Sequence, residues 1–296
     1  MVSVIIPTRN RIDILKRTLS SYYNQELVNE IIIVDDDSDE DYEDKLKVIF
    51  NQYPKVKSIL IKHDKREGAA KSRIDGVQNS TNEFIVFGED DAFFEKDYIT
   101  NLYSIYILQS NIGVIAGQIV YMRPGESISD ARIRFGNGIV KGQNFNYELL
   151  KFNPFSEINA LSEIPFVHAL FLTTKTLLKK YSFDDFYCNG NGYREETDFQ
   201  INIHLNGYAN YITNKVKCYH LSNLDVQAGG QRSNRFKKFY WTIFYNNYFL
   251  NKYYLKYKEK HELKNNIIKA KKIFILDQFN SLFISPILRK TFQIWK

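Results

Sequence analysis

Short apolar runs alternate with segments of helical periodicity across the first hundred residues of this 296-residue chain. The apolar runs have the length and composition of buried strands, and they cover residues 2–6, 31–34, 58–61 and 84–87. The segments between them, at residues 11–23, 42–50 and 68–77, carry apolar side chains at helical spacing. Strands that alternate with single helices form parallel βαβ units with right-handed crossovers. The sequence therefore predicts an α/β fold with a Rossmann-like, mostly parallel sheet and flanking helices.

The remainder of the chain predicts fewer regular elements. Strands are expected at residues 113–120, 133–140, 166–173 and 208–212, and a helix at 197–205. Residues 123–130 and 141–163 mix Pro, Gly, Asn and Ser without a clear period, which predicts loops. We expect one main domain over residues 1–230, with halves at 1–100 and 101–230, and a helical extension over 231–296.

The charge of the chain is divided unevenly between these two parts. The net charge is +6, and residues 231–296 hold 15 Lys and Arg against 3 Asp and Glu. A basic extension on an acidic body predicts an anionic partner for the extension, such as a membrane surface, a charged substrate or nucleic acid.

Cysteine content and hydropathy bear on the cellular compartment. Cys188 and Cys218 form neither a CxxC pair nor a disulfide framework, which favours a reducing compartment. The first strand pattern begins at Val2, so no signal peptide is expected, and no apolar run of about eighteen residues predicts a transmembrane helix. We expect a cytoplasmic protein, soluble or peripheral at the cytoplasmic face of the membrane.

Acidic residues follow two of the predicted strands directly. Residues 35–37 are all Asp, and Glu89, Asp90 and Asp91 follow the fourth strand. Either cluster alone is typical of a turn or a helix N-cap. Both would lie at the carboxyl edge of a parallel sheet, where so many carboxylates repel one another unless a cation lies between them. Mn²⁺ or Mg²⁺, which also binds diphosphate oxygens, would remove the conflict.

Four strings in fixed order carry a family resemblance. They are VSVIIPTRNR at residues 2–11, VDDDS at 34–38, GAAKSRIDG at 68–76 and EDD at 89–91. Together they resemble the family 2 inverting glycosyltransferases of the GT-A fold, and the agreement extends over about the first 220 residues. The resemblance implies a metal-dependent transfer of sugar from a nucleotide diphosphate donor, with UDP favoured, to a glycan or lipid-linked acceptor.

The resemblance also implies roles for residues on the donor side. Pro7, Thr8 and Arg9 would line the nucleobase pocket, and Asp35 or Asp36 would accept a hydrogen bond from the base or ribose. Arg73 would approach the pyrophosphate; the alternative is an ordinary salt bridge on a helix. Residues 89–91 match the DxD motif, with Asp91 a metal ligand and Asp90 near the ribose or metal. Glu89 departs from the usual first Asp of that motif.

A second region resembles the acceptor side of the same family. Residues 192–199, GYREETDF, match its acidic acceptor motif and imply Glu196 as the general base, with Glu195 and Asp198 as alternatives. Acidic residues in the first turn of a helix are also favoured by the helix dipole. His220 follows a predicted strand, where a histidine completes the metal site in relatives; a structural histidine is equally compatible.

Two other classes of protein fit the sequence less well. A sugar-nucleotide pyrophosphorylase would need a glycine-rich basic loop after the first strand, and residues 7–10 contain no glycine. A non-enzymatic carbohydrate or nucleic-acid binder would suit the basic extension. No RNA-binding motif is recognisable, however, and an acidic body repels phosphate without a metal. We therefore expect a nucleotide-sugar partner and no nucleic acid.

The extension has an unusual aromatic pattern. Phe236, Tyr240, Phe244 and Tyr248 recur every four residues, and Trp241, Tyr245 and Phe249 form a neighbouring row. Basic residues flank both rows, and they are Arg232, Arg235, Lys237 and Lys238 before them and Lys252, Lys256, Lys258 and Lys260 after them. This combination is typical of helices that bind anionic membranes. The alternative is a helix that packs its aromatic side chains on the main domain.

Overall fold

The computed structural model describes residues 1–226 and 234–286. The strands are β1 (Val2–Thr8), β2 (Val28–Asp35), β3 (Lys57–Lys62), β4 (Phe84–Phe87), β5 (Ala92–Phe94), β6 (Ile112–Tyr121), β7 (Phe145–Asn146), β8 (Lys151–Phe152), β9 (Ser162–Glu163), β10 (Leu172–Thr174) and β11 (Ala209–His220). The helices are α1 (Ile12–Tyr23), α2 (Glu43–Gln52), α3 (Ala69–Asn79), α4 (Tyr98–Leu108), α5 (Ile128–Gly138), α6 (Lys175–Tyr181), α7 (Glu195–Leu205), α8 (Arg235–Lys260) and α9 (Ile267–Phe279).

One large mixed sheet organises the described part of the chain. Its strand order is β3-β2-β1-β4-β10-β6-β11-β5, with β9 paired to β11. The strands β3, β2, β1 and β4 are parallel, and so are β6 and β11, whereas β10 runs antiparallel between the two groups. The chain passes from β1 outward to β2 and β3 and then returns to β4 on the other side of β1, so the switch point of the parallel half lies between β1 and β4. The predicted α/β fold is confirmed.

Helices cover both faces of this sheet. Helices α1, α2 and α4 bury residues such as Leu19, Leu46 and Leu102 against one face. On the other face, α3, α6 and α7 share a core with the sheet and with α8. The fully buried Phe171 and Phe199 stack there. Parallel strands buried on both faces explain why their sequence runs are continuously apolar rather than alternating.

The prediction of a strand at residues 133–140 is wrong, because helix α5 occupies Ile128–Gly138. Its first turn is capped by Ser127, whose hydroxyl accepts a hydrogen bond of 3.1 Å from the backbone NH of Asp130. Ala131 and Phe135, four positions apart, are the buried residues of this helix. The apolar period was therefore helical, and short apolar runs do not separate strand from helix by themselves.

Two other predicted elements differ in extent. The run at residues 166–173 forms only the three-residue strand Leu172–Thr174, whereas the strand predicted at 208–212 is the twelve-residue Ala209–His220. The predicted loop at 141–163 holds the short hairpin of β7 and β8. The added length of β11 matters because it brings His220 to the edge of the sheet where β5 begins.

The described C-terminal residues, 234–286, include the helices α8 and α9. Trp241, Tyr245 and Phe249 pack on the main domain, whereas Phe236, Tyr240 and Phe244 are 75%, 60% and 40% exposed. One predicted row is therefore core, whereas the other is surface except for Tyr248, which is partly buried and stacks on Phe186. Arg232 and the predicted boundary at 230 lie outside the described residues. None of the helices described here combines the length and apolar character that crossing a bilayer requires.

Two histidines share a hydrogen bond where the ends of α7 and α8 meet. Nε2 of His204 lies 3.1 Å from Nε2 of His261, and the rings are nearly parallel. One nitrogen must donate and the other accept, so the accepting ring is neutral. Burial and the neighbouring Lys260 charge lower the pKa of His204 to about 3 and that of His261 to about 4.

Replacing His261 with Phe should make the free energy of unfolding less dependent on pH between about pH 7 and pH 5. In the wild type the rings stay neutral when folded but take up protons in the unfolded chain, where a histidine pKa is near 6.5. The contribution of the two rings to the free energy of unfolding is thus complete above about pH 6.5 and is lost as the pH falls toward 4. Urea unfolding at both pH values measures the effect, with the exposed Lys264→Met as control. An unchanged pH dependence in H261F would show that the folded pair is already protonated.

Candidate active site

The carboxyl ends of β1, β2 and β4 surround one cavity of about 340 Å³. This is the switch point of the parallel half, where open α/β sheets bind their ligands. Ten of the thirteen sequence-predicted site residues line it, and they are Pro7, Thr8, Arg9, Asp36, Arg73, Glu89, Asp90, Asp91, Glu195 and His220. Asp35, Glu196 and Asp198 lie outside this lining.

Glu89, Asp91 and His220 form a cluster that could hold a metal ion, since one ligand atom from each lies within 4.8 Å of the others. Nε2 of His220 is 3.3 Å from Oδ1 of Asp91 and 3.5 Å from Oε2 of Glu89. Antiparallel pairing of β11 with β5 places His220 opposite Ala92, directly after the acidic turn. Burial lowers the pKa of His220, but the charges of Asp91 and Glu89 outweigh it and leave that pKa raised.

Asp90, between the candidate ligands Glu89 and Asp91, has a different environment. Its carboxylate accepts hydrogen bonds of 2.9 Å from Oγ1 of Thr8 and from Nη1 of Arg11. The same Arg11 nitrogen lies 2.9 Å from Oδ2 of Asp91. Burial and the Asp91 charge raise the pKa of Asp90 to about 7, although Arg11 opposes the shift.

Sequence reasoning missed Arg11. The signal available was its place in the string of residues 7–11, directly after a strand whose carboxyl end faces the acidic turns. Arg11 and Asp90 are 79 positions apart, and only the pairing of β1 with β4 brings them within hydrogen-bond distance.

Asp36 is held by backbone and by a histidine. Its carboxylate accepts hydrogen bonds from the backbone NH of Glu67 at 2.7 Å and of Gly68 at 3.0 Å. His63 lies between two carboxylates, with Nδ1 3.0 Å from Asp36 and Nε2 3.0 Å from Asp75. Sequence reasoning missed His63, because no motif marked it. Asp36 is therefore fixed in one orientation at the cavity.

Asp35 and Arg9 stand beside Asp36 at the same strand ends. The Asp35 side chain accepts hydrogen bonds from the hydroxyl and backbone NH of Ser38, and burial raises its pKa. Arg9 donates from Nε to the backbone oxygen of Asp37 at 3.2 Å. Asp35 thus stabilises the turn, whereas Arg9 and Asp36 reach the cavity.

Arg73 and Glu195 form a buried ion pair between α3 and α7. Burial raises the pKa of Glu195 to about 7, although the Arg73 charge opposes that shift. Nε of Arg73 and Oε2 of Glu195 have no hydrogen-bond partner within the described ranges. A buried polar atom without a partner costs free energy, and a ligand at the cavity could provide one.

The other two acidic residues of α7 have contrasting surroundings. Asp198 accepts hydrogen bonds from Tyr187 at 3.0 Å, from Tyr253 at 2.8 Å and from Lys252 at 2.9 Å. Glu196 is half-buried, and nothing in residues 1–226 or 234–286 makes a hydrogen bond or ion pair with its carboxylate. Glu196 is therefore available to a ligand, whereas Asp198 is engaged inside the protein.

Another wall of the cavity is a segment that sequence reasoning singled out only from Gly192 onward. We define this cavity-wall segment as residues 187–194, of which Tyr187, Cys188, Asn189, Gly190, Asn191 and Gly192 line the cavity. Gly190 and Gly192 have φ angles of +61° and +57°, a conformation that favours glycine. For residues 187–191 the signal in the sequence was the GNG spacing before an acidic helix start.

Residues 3–166 match the family model described as glycosyl transferase family 2. This match covers more than half of the chain. The chain belongs to glycosyl transferase family 2. Nearly all of β1, the strands β2 to β9, both acidic turns and α3 fall within the matched region, whereas β10, β11, α7 and the C-terminal helices follow it. The family prediction is confirmed, and the family is one of glycosyl transferases, as predicted.

Individual comparisons agree with that family. The chain is 28% identical over 211 residues to the poly(ribitol-phosphate) β-N-acetylglucosaminyltransferase TarP of Staphylococcus aureus, covering 70% of this chain and 63% of TarP. Relatives of 36% to 39% identity, described as uncharacterised glycosyltransferases, are matched over only 14% to 16% of their own length.

Two solved structures share the fold of this family 2 member. The S. aureus TarS 1–349 complex with UDP-GlcNAc has a TM-score of 0.58 at 16% identity, covering 95% of this chain and 72% of that one. The Pyrobaculum calidifontis mannosyltransferase PcManGT, with GDP-Man and Mn²⁺, has a TM-score of 0.55 at 16% identity, covering 96% and 70%. These similarities confirm the predicted GT-A-type fold.

Replacing Asp91 with Asn should weaken binding of Mn²⁺ alone by about tenfold or more, because a neutral amide replaces one charged ligand. Titration followed by the electron paramagnetic resonance of free Mn²⁺ measures this without any assay of activity. Asp225→Asn is the matched control, since Asp225 binds the backbone of Gly125 outside the cluster. Equal Mn²⁺ affinity in all three proteins would show that Asp91 is not a metal ligand.

Proposed function

We propose that this protein is a metal-dependent, inverting glycosyltransferase that moves a sugar from a nucleotide diphosphate sugar to a hydroxyl of a glycan or lipid-linked acceptor. The observation that carries the proposal is the switch-point cavity, which is lined by three candidate metal ligands and a buried arginine and which the acidic first turn of α7 enters at Glu195. Its volume is that of a small-ligand site. Family membership supports the same reaction class.

Inverting transfer needs a base for the acceptor and stabilisation of the leaving diphosphate. Glu196 takes the proton of the acceptor hydroxyl while the oxygen of that hydroxyl bonds to the anomeric carbon of the donor sugar. The bond from that carbon to the diphosphate oxygen breaks, and its electron pair leaves with the nucleoside diphosphate. Attack opposite the leaving group inverts the configuration.

We assign the base to Glu196 because the two alternatives, Asp198 and Glu195, already bind other groups of the protein. Asp198 is bound by three donors of the protein, and Glu195 is paired with Arg73. Arg73 in turn presents an unpartnered Nε, which suits an oxygen of the diphosphate. Glu195 thereby orients Arg73, while Glu196 faces no competing group of the described chain.

The candidate metal ligands suit Mn²⁺ better than Mg²⁺. Glu89 and Asp91 supply oxygen and His220 supplies an imidazole nitrogen, whereas Mg²⁺ strongly prefers oxygen ligands. When bound, the ion would neutralise charge on the departing diphosphate. PcManGT, whose structure contains Mn²⁺, gives this assignment independent support.

The donor is proposed to be a UDP-sugar bound by Pro7, Thr8, Arg9 and Asp36. The UDP-GlcNAc complex of TarS and the N-acetylglucosaminyl transfer named for TarP support this choice, and the GDP-Man complex of PcManGT supports the alternative. Thermal shifts with UDP, GDP and dTDP in the presence of Mn²⁺ would separate the three bases.

Glu196→Gln should lower turnover by about two to four orders of magnitude and leave UDP affinity unchanged, because the amide cannot take the acceptor proton. Release of UDP from UDP-sugars gives turnover, and calorimetry gives the UDP dissociation constant. Glu262→Gln, an exposed residue of the C-terminal part, is the matched control. Normal turnover in E196Q together with an inactive E195Q or D198N would show that the base is one of those residues.

We further propose that α8 contacts an anionic membrane at the cytoplasmic leaflet, where a lipid-linked acceptor would be met. Phe236, Tyr240 and Phe244 form an exposed aromatic ridge, and Arg235, Lys237 and Lys238 are exposed beside it. An apolar ridge flanked by cations suits a surface of anionic lipid headgroups.

The protein should co-sediment with phosphatidylglycerol-containing vesicles at low salt and be released as salt rises, because screening weakens surface attraction. Replacing Phe236, Tyr240 and Phe244 together by Ser should abolish sedimentation. Ile107→Ser with Leu108→Ser removes similarly exposed apolar side chains from α4 and should have no effect. Equal binding by the triple variant, or no binding by the wild type at low salt, would contradict this membrane contact.

A further inference from the structure

One face of helix α8 is turned toward the cavity-wall segment. The face consists of Trp241, Thr242, Tyr245, Asn246 and Phe249, whose positions follow the helical period. The Trp241 ring lies so close to Gly190 that a Cβ at that position would overlap it. The phenyl ring of Phe249 lies 5.1 Å from the guanidinium carbon of Arg194.

Polar groups on this face bond the backbone and side chains of the segment. The hydroxyl of Tyr245 donates to the backbone oxygen of Asn189 at 2.5 Å and accepts from its backbone NH at 3.1 Å. Asn191 donates to Oγ1 of Thr242 at 2.9 Å, and these two side chains are buried. Buried hydrogen bonds of this kind fix geometry, because a lost partner leaves an unsatisfied polar group.

Lys252, further along α8, joins two acidic residues that flank the segment. Its ammonium donates to Asp184 at 2.7 Å, before the segment, and to Asp198 at 2.9 Å, in the first turn of α7. Tyr253 donates to the same Asp198 carboxylate at 2.8 Å. Asp198 is 2% exposed, so its charge depends on these partners.

These contacts of α8 hold the acidic residues at the start of helix α7. Helix α7 begins at Glu195, directly after the cavity-wall segment, and Asp198 lies in its first turn. A shift of the Asp198 turn would therefore move Glu195 and Glu196 relative to Arg73 and the donor. Displacement of a reacting group by about 1 Å can cost a hundredfold in rate.

We propose that Lys252 is a positioning residue, which sets the place of Glu195 and Glu196 by holding the first turn of α7 through Asp198 and the start of the wall through Asp184. Helix α8 is in this view a part of the active site and not an appended module. The inference rests on the function proposed above, and it extends that function to a residue outside the family-matched region.

Lys252→Met in the full-length protein should lower transfer kcat by about ten- to a hundredfold while the UDP dissociation constant stays within about twofold. Nucleotide binding is spared because Arg9 and Asp36 are held by residues of the N-terminal half. Lys252→Arg, which keeps the charge, should restore most of kcat. Lys256→Met, at an exposed position one turn along α8, should behave as wild type.

Hydrogen exchange provides a readout that does not depend on activity. Peptides covering residues 187–205 should exchange faster in Lys252→Met than in the wild type and Lys256→Met. Unchanged exchange together with unchanged kcat in Lys252→Met would overturn the proposal. An equal loss of kcat and of nucleotide-binding stoichiometry would also overturn it, because such a loss indicates general unfolding. A wild-type protein inactive with every nucleotide sugar would overturn the proposed function instead, and the exchange result would still decide whether Lys252 positions α7.

Discussion

Carboxylates crowd one edge of the sheet, and the arrangement of the whole site depends on how their repulsion is offset. Asp90 and Asp91 share Arg11, Glu195 is paired with Arg73, and His220 lies against Glu89 and Asp91. Isolated ionised carboxylates are too costly to bury without such partners. The raised pKa values of Asp90 and Glu195, both about 7, indicate that the protein's own cations offset the burial only in part. Binding a divalent ion at this edge would relieve the same conflict.

The sheet topology brings these groups together. Parallel pairing of β1 with β2 and β4 places the acidic turns side by side at one edge. The antiparallel strand β5 then turns back beside β11, so that residues more than a hundred positions apart become neighbours. The site is therefore assembled by strand ends, which are rigid, and is completed by α3 and α7, whose Arg73 and Glu195 meet across the cavity.

The C-terminal helices pack into the same hydrophobic core as the helices of the site. Tyr245, Phe249, Tyr253 and Tyr257 are buried in the same core as Phe199 of α7. One side of α8 thus fills the core while the opposite side carries the exposed ridge of Phe236, Tyr240 and Phe244. A single amphipathic helix can serve both purposes because residues four apart share a face and adjacent residues do not.

The sequence by itself determined the α/β class, the first four strands, the family and ten of the residues that line the cavity. Those features are local, since they depend on apolar period and on residues that follow strand ends. It did not determine helix α5, because a short apolar run fits both a strand and a helix and the Ser127 cap decides the matter. Only the tertiary structure decided that Arg11 bridges Asp90 and Asp91, that His63 joins Asp36 to Asp75, and that Lys252 engages Asp198. These contacts join distant parts of the chain, and no local pattern of residues encodes which partners folding will bring within hydrogen-bond distance.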